Sequence, residues 1–317
     1  MATQAVPDDP DDPAIWIHPT DPSKSLVVGT NKVAAPNGAL VVFDLQGQIV
    51  QTIRGIDRPN NVDIRQGVQL GERKVDLVAV TERRRSALRF FEVDASALRL
   101  RELGSVPVFA KETGDFAAPM GIALYHRRDG ALFAIVGRKS GPADGYLWQY
   151  RVRAGPSLEL VRKFGRFSGQ AEIEAIVADD SNGFVYYVDE GAGIRKYPAD
   201  PDIQDAGREL AMFGTTGYKG DREGLAIYDA GDTGYLISTD QIASNSRYLL
   251  YPRNGVGDDP HSHPLLGVIE GGADETDGIE ATAKSLGPTF PQGVLVVMNS
   301  RSKNFLFFRW TNPKDLR

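Results

Sequence analysis

The segment Ser168–Gly191, SGQAEIEAIVADDSNGFVYYVDEG, contains two short apolar runs separated by the turn-forming residues DDSNG. Runs of this length, rich in Val, Ile, Tyr and Phe and bounded by Gly, Asn and Asp, read as two strands of a hairpin. Glu174 stands just before the first run, and Asp189-Glu190 stand just after the second. The start of one hairpin strand and the end of the next lie at the same end, so Glu174 and Glu190 fall together. A solvated surface hairpin would account for one such pairing. Its recurrence needs a different explanation. Comparable strand starts occur at Asp12-Pro13-Ala14, Asn61-Val62-Asp63, Met120-Gly121-Ile122, Glu174-Ala175-Ile176, Glu223-Gly224-Leu225 and Asp277-Gly278-Ile279. Their spacing of about 50 to 60 residues is that of a four-stranded propeller blade. The expected fold is therefore all-β: a six-bladed propeller of four-stranded antiparallel blades around a central channel, forming a single domain over residues 1–317. A β-sandwich is the alternative, but it does not explain one start motif repeated along the whole chain.

Composition narrows the function. The chain of 317 residues has 41% hydrophobic and 25% charged residues, ordinary for a globular protein. Its 34 glycines and 19 prolines suit many turns. The net charge of -6, without a basic tail, argues against nucleic acid as a partner. No cysteine is present, which excludes disulfides, thiolate metal sites and a cysteine nucleophile. No apolar run approaches the roughly 20 residues of a membrane span, so no membrane partner is expected. The opening MATQAVPDDPDD has no apolar core of a signal peptide. A monomer is expected, since propellers protect their strand edges.

In a propeller the first strand of each blade lines the channel and the second runs back, so strand starts and second-strand ends share one mouth. The starts supply Asp11, Asp12, Asn60, Asn61, Asp63, Met120, Glu174, Asp221, Glu223, Asp277 and Glu280. The second-strand ends supply Asn31-Lys32, Glu82-Arg83, Arg138-Lys139, Asp189-Glu190, Asp240-Gln241 and Asn299. Units one to three thus end in a base, and units four to six mostly in oxygen ligands. Crowded carboxylates cannot all ionise without counterions. Oxygen donors on loops suit Ca²⁺ better than Mg²⁺. The histidines, His18, His126, His261 and His263, fall outside the mouth positions, which argues against a zinc or iron centre. Cations beside Lys and Arg make a place for a polyanion such as phosphate. Single acids in turns are more often caps, and Asp179, Asp180 and Asp229 read as plain turn residues. Of Arg83-Arg84-Arg85, one is expected to point inward.

Taken in order, DDPAIWIHPTDPSKSLVVGTNK, NNVDIR, EIEAIVADD, YVDEG, DREGLAIY, GYLISTDQ, ETDGIE and LGPTFPQGVLVV resemble the β-propeller phytases from Asp11 to about Trp310. The resemblance implies calcium-dependent hydrolysis of phosphomonoesters of myo-inositol hexakisphosphate by metal-activated water, with several Ca²⁺ ions as cofactors. It implies a small polyanionic phosphate, taken as its calcium complex, as substrate, and a secreted or periplasmic location. The metal set it implies is Asp11, Asp12, Glu174, Glu190, Asp221, Glu223, Gln241 and Asp277, to which Asn60 is added from the mouth register. Lys32, Arg83 and Lys139 would bind phosphate, and with Glu174 and Glu223 form the expected catalytic set. No residue competes as a covalent nucleophile: cysteine is absent and no G-x-S-x-G elbow occurs.

Three positions depart from that family pattern. Met120 stands where the family has a Tyr, the loop GGADETDG is shortened, and Met298-Asn299 replace a Gln-Asp pair. A thioether cannot replace a phenol oxygen on a hard cation. The expectation is that Met120→Tyr raises phosphate release at limiting calcium with little change in stability. An alternative reading is a calcium-binding propeller that binds phosphorylated ligands with weak or no turnover. A calcium-dependent lactonase is a further alternative, opposed by the three bases, since a neutral lactone needs no cationic clamp.

Overall fold

The runs rich in Val, Ile, Leu, Phe and Tyr form strands, which the computed structural model describes over residues 1–311. Residues 312–317 of the expected single domain lie outside the described residues. Blade one comprises β1 (Pro10–Trp16), β2 (Leu26–Asn31), β3 (Ala39–Asp44) and β4 (Ile49–Arg54). Blade two comprises β5 (Pro59–Leu70), β6 (Arg73–Glu82), β7 (Ala87–Asp94) and β8 (Arg99–Pro107). Blade three comprises β9 (Pro119–His126), β10 (Leu132–Arg138), β11 (Asp144–Arg153) and β12 (Ser157–Arg166). Blade four comprises β13 (Ile176–Asp179), β14 (Phe184–Asp189), β15 (Gly193–Pro198) and β16 (Ala211–Phe213). Blade five comprises β17 (Asp221–Ala230), β18 (Thr233–Gln241), β19 (Arg247–Pro252) and β20 (Gly267–Glu270). Blade six has β21 (Ile279–Thr282), β22 (Val294–Asn299) and β23 (Asn304–Arg309). Every sheet is an antiparallel meander in chain order. Among the described residues the only helical turns are three short 3₁₀ segments.

Blade six draws its outer edge from the other end of the chain. Thr3 N donates to Phe305 O at 2.9 Å, Val6 N to Lys303 O at 2.6 Å, and Phe307 N to Met1 O at 2.7 Å. The first residues thus complete the last sheet and close the ring. The inner strands β1, β5, β9, β13, β17 and β21 follow one another around the channel, with β21 returning to β1.

The core is not central. It is divided into wedges between neighbouring blades, each sheet contributing both of its faces. Trp16, Val28, Leu40, Val78 and Phe91 join blades one and two. Leu77, Phe90, Leu124 and Trp148 join two and three. Ile135, Tyr146, Val185 and Tyr187 join three and four. Tyr186, Val188, Leu236 and Tyr251 join four and five. Ile237, Tyr248, Val297 and Trp310 join five and six, while Phe43, Val296 and Phe305 join six and one. Each fully buried side chain of this size contributes about 1.5–3 kcal/mol, so blade order is fixed by six separate interfaces. Glycines in the start motifs permit close approach between blades. A Cβ at Gly121 would collide with the carbonyl of Glu174, and one at Gly224 with that of Asp277.

The far end of the channel is crossed by one side chain. Arg65 of β5 pairs with Asp63 at 2.9 Å and reaches blade four, where Nε donates to Asp180 Oδ2 and Nη2 to Ala178 O, both at 3.0 Å. Asp180 is therefore a strut partner and not a plain turn residue. Asp179 departs from expectation in the same way: it is buried and accepts from Arg253 at 2.6 and 2.7 Å, while Arg253 also pairs with Asp229. These partners lie 115 and 74 residues away in sequence, beyond the reach of turn rules.

Candidate active site

The mouth is built by a two-residue device repeated at the end of each second strand. Adjacent strand residues point to opposite sides, and here the two sides have different tasks. The first residue of each pair ties down the linker leading into the inner strand. Asn31 Oδ1 accepts from Asp9 N at 2.9 Å, Glu82 Oε1 from Asp57 N at 2.9 Å, and Asp189 Oδ2 from Ser168 N at 2.8 Å. Asp240 Oδ1 accepts from Gly220 N at 2.7 Å and Asn299 Oδ1 from Asp274 N at 2.9 Å. In blade three Arg138 donates instead, to Phe116 O at 3.3 Å.

The second residue is held by its own backbone. Lys32 N donates to Asp9 O at 2.7 Å, Arg83 N to Arg58 O at 3.1 Å, and Lys139 N to Ala118 O at 2.9 Å. Glu190 N donates to Glu172 O at 3.2 Å and Ser300 N to Asp274 O at 2.9 Å. Gln241 pairs in register with Asp221. The side chains of these second residues are thereby left free for the mouth. Asn299, expected among the oxygen ligands, is instead a linker anchor: it is buried, and its Nδ2 donates to Asn304 Oδ1 at 2.8 Å. Ser300 holds the equivalent sixth position.

In blades one to three the bases already have partners. Lys32 Nζ donates to Asp11 Oδ1 and lies 3.7 Å from Asp277 Oδ2. Burial pulls its ammonium down, but Asp11, Glu174 and Asp277 outweigh this and raise it. Arg83 donates to Asn60 Oδ1 and stands 3.5 Å from Glu174 Oε1. Asn60, expected as a metal ligand, is buried, and its carbonyl accepts from this guanidinium. Arg84 and Arg85 are exposed, so Arg83 is the inward arginine of the three. Lys139 pairs with Glu172, a residue outside the expected set; burial and the nearby Arg83 lower its ammonium.

Blades four and five present the opposite picture. Among the described residues the carboxylates of Glu190, Asp221 and Glu223 have no ion pair and no hydrogen-bond donor. Burial, then Glu174 and Asp221, push the Glu190 carboxyl up to about 8. Burial, then Glu190 and Glu174, hold Glu223 well above its ordinary range. Asp277 is raised by burial and by Asp11, and it accepts from Gln241 Nε2. Asp11 is buried, and its Oδ2 has no hydrogen-bond partner. Asp12 differs from its neighbour: its Oδ2 accepts from Val62 N at 2.9 Å, stitching blade one to blade two. Met120 is buried in the third blade, and its carbonyl accepts from Thr81 Oγ1 at 2.8 Å.

The donor set of Asp11, Glu174, Glu190, Asp221, Glu223, Gln241 and Asp277 is all oxygen and includes a buried oxygen without a donor. It fits a hard divalent cation of the calcium type. Among the described residues, however, no three acids close into a ready-made cage.

A basic arc facing an acidic arc at one mouth of a six-bladed ring defines the class as a β-propeller with a charged channel mouth. The family model described as Phytase matches residues 2–304, and the chain belongs to the phytase family, whose members are phosphoric monoester hydrolases. A 3-phytase from Bacillus subtilis (strain 168) is 29% identical over 313 residues, covering 95% of this chain and 79% of that relative. Solved structures at lower identity share the fold. The β-propeller domain of Myceliophteria thermophila Cps50 (Swd1) superposes with a TM-score of 0.56 at 12% identity, covering 95% of this chain and 84% of the other. A Lactobacillus plantarum protein solved by a structural genomics consortium gives 0.57 at 13% identity, covering 97% and 82%.

Proposed function

We propose that this mouth removes phosphate from myo-inositol hexakisphosphate in a calcium-dependent reaction. The observation that carries the proposal is the three carboxylates, Glu190, Asp221 and Glu223, that among the described residues have no ion pair and share the mouth with the bases Lys32, Arg83 and Lys139. Calcium would be held by these acids with Asp11, Glu174, Gln241 and Asp277, where it supplies charge neutralisation and a more acidic water. Lys32 and Lys139 bind phosphoryl oxygens as point charges, and Arg83 as a fork. Asn60 fixes the plane of that fork before substrate arrives. The same three bases stabilise charge that builds on the phosphoryl oxygens during displacement. Among the described residues the acids do not close a cage by themselves, which suits a substrate taken as its calcium complex. The test is phosphate release from inositol hexakisphosphate with calcium and with excess chelator. Release that survives chelation overturns the proposal.

The second reading, a propeller that binds phosphorylated ligands with little turnover, draws on Met120, the apolar and buried member of the third blade's start. The same assay decides between them: tight binding of the hexakisphosphate with calcium but no release supports the second.

A further inference from the structure

Glu172 stands in the linker before β13, at the position whose carbonyl receives the backbone N–H of Glu190. Its equivalents in other blades are Asp9, Arg58, Ala118 and Asp274, each receiving the matching bond. Alanine at one of these positions shows that the linker bond needs only the backbone. A carboxylate at 172 is therefore not required by the fold. Its side chain is nonetheless committed: it crosses from the blade-four linker to Lys139 of blade three and pairs with its ammonium. Lys139 is about one-third exposed and Glu172 one-quarter, so the pair sits at the open rim where ligand enters. Glu174, two residues on, faces Arg83 instead, so the two acids neutralise different bases.

We propose that Glu172 is a specificity-determining residue that competes with phosphate for Lys139. The proposal rests on the reading of Lys139 as a phosphate-binding base. A lone phosphate must displace Glu172 to gain a single ammonium. A polyphosphorylated ring engages Lys32 and Arg83 as well, and so overcomes the same competition. The carboxylate then returns to Lys139 when only inorganic phosphate remains, which speeds release of that product. The mouth is in this way biased toward densely phosphorylated substrates and against its own inorganic product.

The test uses inorganic phosphate as probe, with calcium saturating, and measures its Kd by calorimetry on wild type, Glu172→Gln, Lys139→Ala and the double variant. Glu172→Gln is expected to tighten phosphate binding roughly two- to five-fold, the range that a partly exposed ion pair is worth. KM for a simple monoester should fall by a similar factor while kcat stays within about twofold, a split that a merely structural residue would not produce. The double variant should bind phosphate no better than Lys139→Ala alone. Unchanged phosphate affinity in folded Glu172→Gln overturns the proposal, as does a gain that persists in the double variant. A lower calcium stoichiometry in Glu172→Gln would make Glu172 a metal ligand and also overturn it. If Lys139→Ala binds phosphate as wild type does, the phosphate-clamp reading of Lys139 fails first.

Discussion

The two halves of the mouth are made by the same backbone device and differ in how their charges are balanced. In blades one to three every base has an internal carboxylate or amide: Asp11 for Lys32, Asn60 and Glu174 for Arg83, Glu172 for Lys139. In blades four and five Glu190, Asp221 and Glu223 have none among the described residues, and burial drives Glu190 and Glu223 toward the protonated state. The cationic half is complete in the protein alone, whereas the anionic half lacks its counter-charge. Asp221 is exposed, whereas Glu190 and Glu223 are half-buried, where an unpaired charge is costly. Under the proposed function the halves take distinct ligands, anions on one side and cations on the other.

That contrast can be broken by substitution. Glu223→Gln should lower phosphate release on the order of 100- to 1,000-fold, the loss found when one electrostatic stabiliser of a transition state is removed. Raising calcium should recover part of it, and steady-state rates across a calcium titration check this. Lys139→Ala should cost roughly ten- to a hundred-fold, the worth of one charge-assisted hydrogen bond in the transition state. Its deficit should not respond to calcium. If both variants respond alike, the division into halves is wrong.

Stability measurements sharpen the same contrast. Excess chelator should lower the melting temperature by about 4 °C, since a ligand at a hundred times its Kd adds about 2.7 kcal/mol. An unchanged melting curve would show that the acids need no cation. Crowding deeper in the channel is tested with Glu280, where burial and Asp63 push the carboxyl up to about 8 from an ordinary 4.5. The folded protein holds a proton there that the unfolded chain releases, so this contribution is intact below about 4.5 and lost as pH rises through about 8. Glu280→Gln should therefore stabilise the fold by about 1–3 kcal/mol at pH 8 and leave it unchanged near pH 4. Denaturant melts at the two pH values give the answer. The smallest effect is expected from Met120→Tyr. Because Met120 is buried, the larger ring should cost about 1 kcal/mol or more in overpacking, against the sequence expectation of little change in stability. A chemical-denaturation midpoint equal to wild type would show that the site has room for it.

The blades were legible because their strands obey local rules: β-branched and aromatic runs between Gly, Asn and Asp turns, repeated at one spacing. The pairs at the second-strand ends were legible for the same reason. Roles within a pair were not. Asn299 was read as a ligand, yet it anchors a linker while Ser300 takes the mouth position. Residue type alone cannot reveal which of two neighbours faces inward, because one step along a strand reverses the face. Glu172 was missed because its partner Lys139 lies 33 residues earlier, on another blade. The contact of the Asn60 oxygen with Arg83 joins residues 23 positions apart and is equally hidden from local sequence rules.

The seam between blades six and one has a consequence for how this molecule comes into being. Residues 1–6 find their place only against β23, some 300 positions later in the sequence. Contacts of such sequence separation form late and slowly. Gly278 N donates to Asp11 O at 3.0 Å across this seam, so Asp11 and Asp277, from opposite ends of the chain, become neighbours only when the circle shuts. A nascent or truncated chain with five finished blades would carry all three bases and still lack a complete mouth.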